Sequence, residues 1–322
     1  MGVKKTILRT ISKEITFKDM FTLFYAAKKA ANLAPVTLEN YEDTKEDFLN
    51  VFGRRLLASD ISDSLVIDYT LYLQNKGLNP VSVNTRLRTL KTILYWGMNK
   101  EYIVPFKINL VKEQEVIVET YTHEELKALL KKPSKKEDFR EWRMWAIINY
   151  ILATGNRAAT VRNLRLQDID FQAKEITLAH TKNRKSQVIP LSSSLEAVLK
   201  EYIRLWRAYA KPTDWLFCGV NEAQLSDTSI HQSIRKYNHS RGVQRTGLHA
   251  LRHTFAKEWI LNNGDVFRLQ KMLGHSTLEM TKRYVRMFNE DLKKDFDEYN
   301  PLDNLSKSFN KSHTVKQKSK KE

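Results

Sequence analysis

The sequence predicts a mainly helical α+β fold with a small antiparallel sheet. Apolar residues recur at helical spacing along most of the chain, and only the region 169–191 alternates apolar and polar residues as strands do. Ten glycines in 322 residues are also fewer than Gly-rich β architectures carry. The length fits about two domains.

Helix-end signals predict four helices in a first domain, residues 12–104. The first helix covers residues 16–31, with Thr16 as its N-cap and Asp19 three residues later. The other three run from Pro35 to Gly53, from Ser62 or Asp63 to Gly77, and onwards from Pro80. We expect their aromatic stripes to form the core of a compact all-α domain and not platforms for base stacking.

Residues 105–120 read as an extended linker, since Pro105 disfavours helix before it and strand-forming residues follow. The second domain, residues 121–300, opens with a capping box at Thr122 and Glu125. The sheet-forming segments lie near 169–171, 176–178 and 188–191, and an apolar helix over 142–153 precedes them. From residue 194 onwards the pattern is helical, apart from a turn-rich stretch at 214–219.

The charge of the chain indicates a polyanionic partner. There are 54 Lys and Arg against 37 Asp and Glu, a net charge of +17. Residues 306–322 hold six Lys and one Glu, or +5, so the rest of the chain still carries +12. Nucleic acid is the partner that such a basic body favours, and charge for solubility is the alternative. We expect residues 301–322 to form a basic, disordered tail.

Other features exclude whole classes of protein. The single cysteine, Cys218, excludes a disulfide framework and a cysteine-based zinc site. The sequence has neither a run of about 18 apolar residues nor a signal peptide at its N-terminus. We therefore predict a cytoplasmic protein without a membrane partner.

Two segments carry residue types that suit phosphate chemistry. His249 and Arg252 lie three residues apart on a predicted helix, so their side chains project from one face. Tyr284 lies about two turns inside a helix that begins just after His275. An ordinary surface pair and a packing tyrosine are the alternatives. A phenol has a pKa of ~10, so a nucleophilic tyrosine would need a base and nearby cations.

Two further cations lie at structural junctions. Arg157 follows the glycine that ends the apolar helix, where a guanidinium can point into a cleft. Lys182 lies at the tip of the predicted hairpin, beside Arg184 and Lys185, where a lysine can enter a DNA groove. A surface arginine and a solvated loop are the alternative readings.

Taken in order, these residues resemble the catalytic set of the tyrosine recombinases, the phage integrase family. The matching segments are ATGNRAATVRNLRLQDID, TKNRKSQVIPL, LHALRHTFA and LGHSTLEMTKRY. The resemblance covers roughly residues 12–300. It implies a helical SAM-like core-binding domain followed by a mixed α/β catalytic domain, which together clamp duplex DNA.

The resemblance implies a role for each matching position. Arg157 and Arg252 would bind the non-bridging oxygens of the scissile phosphate, and Lys182 would protonate the departing 5′-oxygen. His249 would take the proton from Tyr284, and His275 would hydrogen-bond the phosphate. The tyrosine would attack and form a 3′-phosphotyrosyl link, a reaction for which no cofactor, no metal and no ATP are expected.

The family also implies partners beyond DNA. We expect a tetramer on paired sites, with a C-terminal helix over residues 290–299 exchanged between protomers, and a directionality or host factor. Further DNA-contact candidates are basic residues of the fourth helix: Arg86, Arg88 and Lys91. A solvated helix face is an equally open interpretation of these three.

Two positions depart from the family pattern. Thr160 stands where an acidic residue usually supports the first arginine, and Ala250 stands where the second motif often has a polar residue. An alternative function is therefore a recombinase-fold DNA-binding regulator or repressor that does not cleave. A type-IB-like topoisomerase shares the chemistry, but the motifs favour the integrase branch.

Overall fold

The computed structural model describes residues 15–113, 119–178, 186–245, 247–275 and 277–286. The chain divides into two compact units, Met1–Val116 and Ile117–Glu322. Each unit has its own hydrophobic core.

The first unit contains the four predicted helices, and its helix starts follow the sequence signals. The Thr16 hydroxyl accepts a hydrogen bond from the Asp19 amide at 3.1 Å, and the Asn79 side chain caps the fourth helix in the same way. The helices are α1 (Phe17–Ala30), α2 (Pro35–Phe52), α3 (Asp63–Asn75) and α4 (Pro80–Asn99), with a 3-10 turn at Ala58–Asp60.

Aromatic side chains form much of this core, as predicted. Phe48 of α2 lies 5.1 Å from the ring of Phe17 and 5.2 Å from that of Tyr69, measured between centroids. All three rings are buried, so burial of apolar area holds the helices together.

The second unit is helical around a three-stranded sheet, which confirms the predicted fold class. The strands β1 (Ile169–Asp170), β2 (Glu175–Leu178) and β3 (Gln187–Pro190) are antiparallel in that order. Ile176 pairs with Ile169 on one side and with Ile189 on the other, so the buried face of the sheet is continuous. The predicted capping box at Thr122 and Glu125 is present.

The described helices of this unit are α5 (His123–Leu130), α6 (Phe139–Thr154), α7 (Ala158–Arg162), α8 (Ser193–Trp206), α9 (Asp227–Ser240), α10 (Leu248–Leu261), α11 (Val266–Leu273) and α12 (Glu279–Arg286). The most apolar of them is α6, whose buried side chains include Trp142, Ile147 and Ile151, and α5, α8, α9 and α10 pack against it. None of the helices in the described ranges is long and apolar enough to cross a membrane.

The predicted break in the helical pattern at 214–219 is too short. The whole segment 207–226 is non-helical. Leu216 and Phe217 are buried, and short backbone bridges link Trp215 to Arg165 and Cys218 to Gln224. The segment therefore runs through the core as irregular chain, and the prediction of helix on either side of 214–219 is wrong.

Candidate active site

The site forms where the ends of α6 and α11 meet the side of α10. Gly155 ends α6 with a left-handed backbone, φ 66°. A Cβ atom at this position would lie 2.4 Å from Phe255 Cδ1 and 2.8 Å from Leu273 Cδ2. The glycine thus permits both the turn and the close approach of three helices.

Arg252 of α10 is the most deeply buried cation of the site, with 4% of its surface exposed. Its Nη1 donates to the Gly155 carbonyl at 2.6 Å, and its Nη2 donates to the Leu273 carbonyl at 2.9 Å. Leu273 is the last residue of α11, and carbonyls in the last turn of a helix lack partners within the helix. Two helix ends therefore fix the guanidinium.

Arg157 shares one of these acceptors. Its Nη1 donates to the same Leu273 carbonyl at 3.4 Å. The negative end of the α11 dipole also favours cations here. The C-terminus of one helix thus brings Arg157 and Arg252 together, although they are far apart in sequence.

The two guanidiniums have no counter-ion in the part of the chain that the structure describes, where neither forms an ion pair. Burial lowers the pKa of Arg157. Burial, together with repulsion from Arg157, lowers the pKa of Arg252 to about 10. Arginine keeps its proton at neutral pH in proteins, so both groups carry their charge. Two close, partly desolvated cations that are neutralised only by carbonyl dipoles attract an anion strongly.

His275 lies against this pair with a defined tautomer. Its Nε2 is 2.9 Å from Arg252 Nη2, and its Nδ1 is 2.9 Å from the hydroxyl of Thr281. Because arginine only donates, Nε2 accepts, so the proton is on Nδ1 and points to Thr281. Burial, followed by repulsion from Arg252 and Arg157, lowers the pKa of His275 to about 4. The imidazole is neutral near pH 7.

Tyr284 of α12 completes the cluster. The residue is only 5% exposed, and its hydroxyl is 2.7 Å from Nδ1 of His253. Its ring is almost parallel to that of His275, with 3° between the planes and 6.4 Å between centroids. The tyrosine also interacts electrostatically with Arg157 and Arg252.

His249 lies on the α9 side of the same site. Burial lowers its pKa, and repulsion from Arg252, His231 and Arg157 adds to the effect. His231 belongs to α9, as does Asp227, whose charge acts in the opposite direction. That His249 accepts the Tyr284 proton stays a prediction, because the contact observed at the hydroxyl is made by His253.

Five of the six predicted catalytic residues are therefore described, and they gather around one site: Arg157, His249, Arg252, His275 and Tyr284. Lys182 lies outside the described residues, as do Arg184 and Lys185. Sequence reasoning missed His253 and Thr281. For His253 a signal existed, because it follows His249 by four residues and so lies one turn along the same face of α10.

The predicted DNA-contact residues of α4 have protein partners. Arg88 pairs with Glu113 at 2.9 Å, and Lys91 donates to the Ile108 carbonyl at 3.3 Å. Both side chains therefore hold the extended segment after α4. Arg86 lines a polar groove between α2 and α4 with Thr44. Whether any of the three contacts DNA stays a prediction.

Comparison with known proteins bears directly on this arrangement. The model of the phage integrase family matches residues 119–291, and the model of the phage integrase SAM-like domain matches residues 16–114. A tyrosine recombinase XerC of Staphylococcus aureus strain JH9 is 26% identical over 275 residues, which are 83% of this chain and 91% of the relative.

Solved structures share the fold at lower identity. A Tn1549 transposon integrase in complex with a circular intermediate DNA has a TM-score of 0.71 and 20% identity, over 84% of this chain and 95% of that one. A lambda integrase dimer bound to a core site has a TM-score of 0.68 and 15% identity, over the same shares of the two chains.

A helical first domain, followed by a catalytic domain with a tyrosine beside arginines and histidines, defines the class of tyrosine-type recombinases. The predicted family and enzyme class are thereby confirmed. The chain belongs to the phage integrase family, because the family model matches more than half of it.

Proposed function

We propose that this protein is a site-specific DNA recombinase that cleaves and rejoins strands through a covalent bond to Tyr284. One observation carries the proposal. The hydroxyl of Tyr284 contacts a histidine next to two guanidiniums, one buried and one partly exposed, that have no carboxylate partner among the described residues. A backbone phosphate is an anion that could neutralise these cations while its phosphorus faces the phenol.

In the proposed reaction the two arginines bind the non-bridging oxygens of one phosphodiester. Tyr284 Oη attacks phosphorus, the bond from phosphorus to the 5′-oxygen breaks, and a 3′-phosphotyrosyl link forms. Positive charge fixed by Gly155 and Leu273 carbonyls stabilises the extra negative charge of the pentacoordinate transition state without reorganisation. Lys182 is the proposed donor of the proton to the departing oxygen.

His275 would assist once a phosphate binds. In the free site its Nε2 accepts from Arg252, so it cannot donate to a phosphate oxygen. An anion next to Nε2 would raise the pKa of this imidazole. We therefore propose that phosphate binding is coupled to proton uptake at His275.

The phosphotyrosyl bond retains the energy of the phosphodiester, so rejoining needs no ATP. We propose that guanidinium charges do the work that a metal ion does in other phosphoryl-transfer enzymes. Cleavage in the presence of excess EDTA at the same rate as without it is the expected result. Loss of cleavage that Mg²⁺ restores would contradict this part of the proposal.

Assembly on DNA is proposed from the family alone. Relatives were solved as a dimer on a core site and as complexes with recombination substrates. A tetramer on paired sites, an exchanged C-terminal helix, accessory factors and the cytoplasmic location stay predictions. The segment proposed for exchange, residues 290–299, lies outside the described residues.

A nicked suicide substrate tests the function. A duplex enriched from a random-sequence library by binding to the full chain is nicked near the cleavage position, so that the cleaved strand diffuses away. We expect the wild type to form a covalent adduct, and Tyr284→Phe to bind the duplex without forming one. Specific binding by the wild type without any adduct would instead support the non-cleaving regulator.

A further inference from the structure

One face of α10 presents two histidines to the site, where they have different neighbours. His249 and His253 are four residues apart, one helical turn, so their side chains leave the helix in similar directions. Charged groups of α9 act on His249, whereas the ring of His253 lies 5.6 Å from that of Tyr284, between centroids. The two imidazoles therefore interact with different residues.

We infer that His253 is the residue that accepts the proton of Tyr284 when the tyrosine attacks DNA, an inference that rests on the proposed function. Its Nδ1 is 2.7 Å from Oη, within the range of a direct hydrogen bond. His253 therefore touches a reacting atom.

The proton balance of the step is complete with groups on the chain and on the DNA. The Oη–H bond of Tyr284 breaks, its proton moves to Nδ1 of His253, and the Oη electron pair forms the bond to phosphorus. The bond from phosphorus to the 5′-oxygen breaks, and that oxygen takes a proton from Lys182, the donor in the proposed function. In the rejoining step the 5′-hydroxyl returns this proton to Lys182 as it bonds to phosphorus, the bond from phosphorus to Oη breaks, and His253 returns its proton to Oη.

The surroundings of the phenol suit this transfer. His275 faces both Tyr284 and His253, and it donates its own Nδ1 proton to Thr281, so it does not compete for the phenol proton through Nδ1. Arg252 and Arg157 interact with Tyr284 and favour a developing phenolate. A base on one side of the oxygen and cations nearby are what an attacking tyrosine requires.

Asparagine at position 253 separates basicity from hydrogen bonding. Its amide can occupy the position of Nδ1 and contact the Tyr284 hydroxyl, but it cannot accept a proton. We expect His253→Asn to bind the enriched duplex as the wild type does and to form adduct about 100-fold more slowly, the lower end of what general bases contribute. His249→Asn makes the same chemical change at the alternative base, one turn away, so the two variants compare the two candidates directly.

A more acidic phenol provides the decisive readout. We expect 3,5-difluorotyrosine at position 284 to restore most of the single-turnover rate of His253→Asn, and to shift its pH–rate profile to lower pH. The same replacement should not rescue His249→Asn. This selectivity would not arise if His253 merely packed against the ring.

Several outcomes would overturn the inference. A His253→Asn rate within twofold of the wild type, or fluorotyrosine rescue of His249→Asn instead, would exclude His253 as the base. Faster cleavage by His253→Asn would mean that the contact restrains the tyrosine. If the wild type itself formed no adduct, the proposed function would fail and this inference with it.

Discussion

Two tyrosines in the described part of the second unit lie near a pair of arginines, and we propose a catalytic role for only one of them. Tyr202 is influenced by Arg143 and Arg207, and Tyr284 by Arg157 and Arg252. All but one of these arginines are buried; Arg157 is partly exposed. The two clusters differ in what else surrounds the phenol.

Tyr202 is enclosed by apolar and aromatic groups. Its ring lies 6.4 Å from Phe139 and 5.7 Å from Phe217, between centroids. Its hydroxyl has no hydrogen-bond partner among the described residues, and burial raises its pKa well above the usual value.

The arginines near Tyr202 bind other groups of the protein. Arg207 pairs with Glu222, and Arg143 donates to the Cys218 carbonyl at 2.7 Å and lies over the ring of Phe139. By contrast, Tyr284 has imidazole contacts, and the two cations beside it have no counter-ion among the residues that the structure describes. We therefore base the proposed role of Tyr284 on the histidine at its hydroxyl and on the uncompensated charge beside it, and not on the arginines alone.

The largest expected effect separates the two tyrosines. Tyr284→Phe should abolish adduct formation, since the nucleophilic oxygen is removed. Tyr202→Phe should leave the adduct rate within about threefold, because the lost hydroxyl has no partner and its removal costs little. Gel-resolved adduct on the nicked duplex measures both. If circular dichroism shows that both variants are folded and both lose adduct formation equally, the proposed difference between Tyr284 and Tyr202 is wrong.

The next effect separates the arginines. Arg252→Ala and Arg157→Ala should each lower the cleavage rate about 100- to 1000-fold, as the loss of a transition-state donor does, while duplex affinity changes much less. Arg207→Ala should instead lower the temperature of unfolding. Single-turnover rates, binding isotherms and thermal melts provide the comparison. Parallel losses of binding and cleavage at positions 157 and 252 would make them ordinary phosphate contacts.

A smaller effect is expected at Thr281, which is fully buried and fixes the tautomer of His275. Thr281→Val should lower cleavage about tenfold, similar to what metal-bound histidines lose without their orienting partner. Thr281→Ser keeps the hydroxyl and is the control. Equal rates for the valine and serine variants would show that the hydrogen bond does not orient the imidazole.

The smallest effect concerns stability at low pH. Burial lowers the pKa of His275 to about 4 in the folded chain, against ~6.5 in the unfolded chain. Between these pH values only the unfolded chain binds the extra proton. Its contribution to stability is therefore lost as pH falls from ~6.5 to ~4. Between these pH values the free energy of unfolding, measured with urea, should fall about 1 kcal/mol less for His275→Asn than for the wild type. Identical pH dependence would contradict the cause assigned to the shift.

Much of the fold could be predicted because its signals are local. Thr16, Thr122 and Gly155 mark helix ends through hydrogen bonds or backbone angles that involve only near neighbours in sequence. Strand alternation likewise predicted the sheet. The non-helical segment 207–226 was predicted too short, because part of it is held by backbone hydrogen bonds to distant residues, such as the bond from Gln167 to the Pro212 carbonyl.

The candidate site was predictable in its residues but not in its contacts. The order of the motifs predicted residues that the structure brings to one site, and no local pattern could reveal that one carbonyl, at Leu273, binds both Arg157 and Arg252. The contact of His253 with Tyr284 also depends on how α12 packs on α10. Such contacts join distant segments and follow from packing of whole helices.

Mapping the covalent adduct tests the central claim most directly. The wild-type adduct with the nicked duplex is trimmed by nuclease, digested with trypsin and analysed by mass spectrometry. The account predicts a nucleotide joined through its 3′-phosphate to the peptide that contains Tyr284. A nucleotide attached to any other residue, or DNA bound specifically but never joined to the protein, would contradict it.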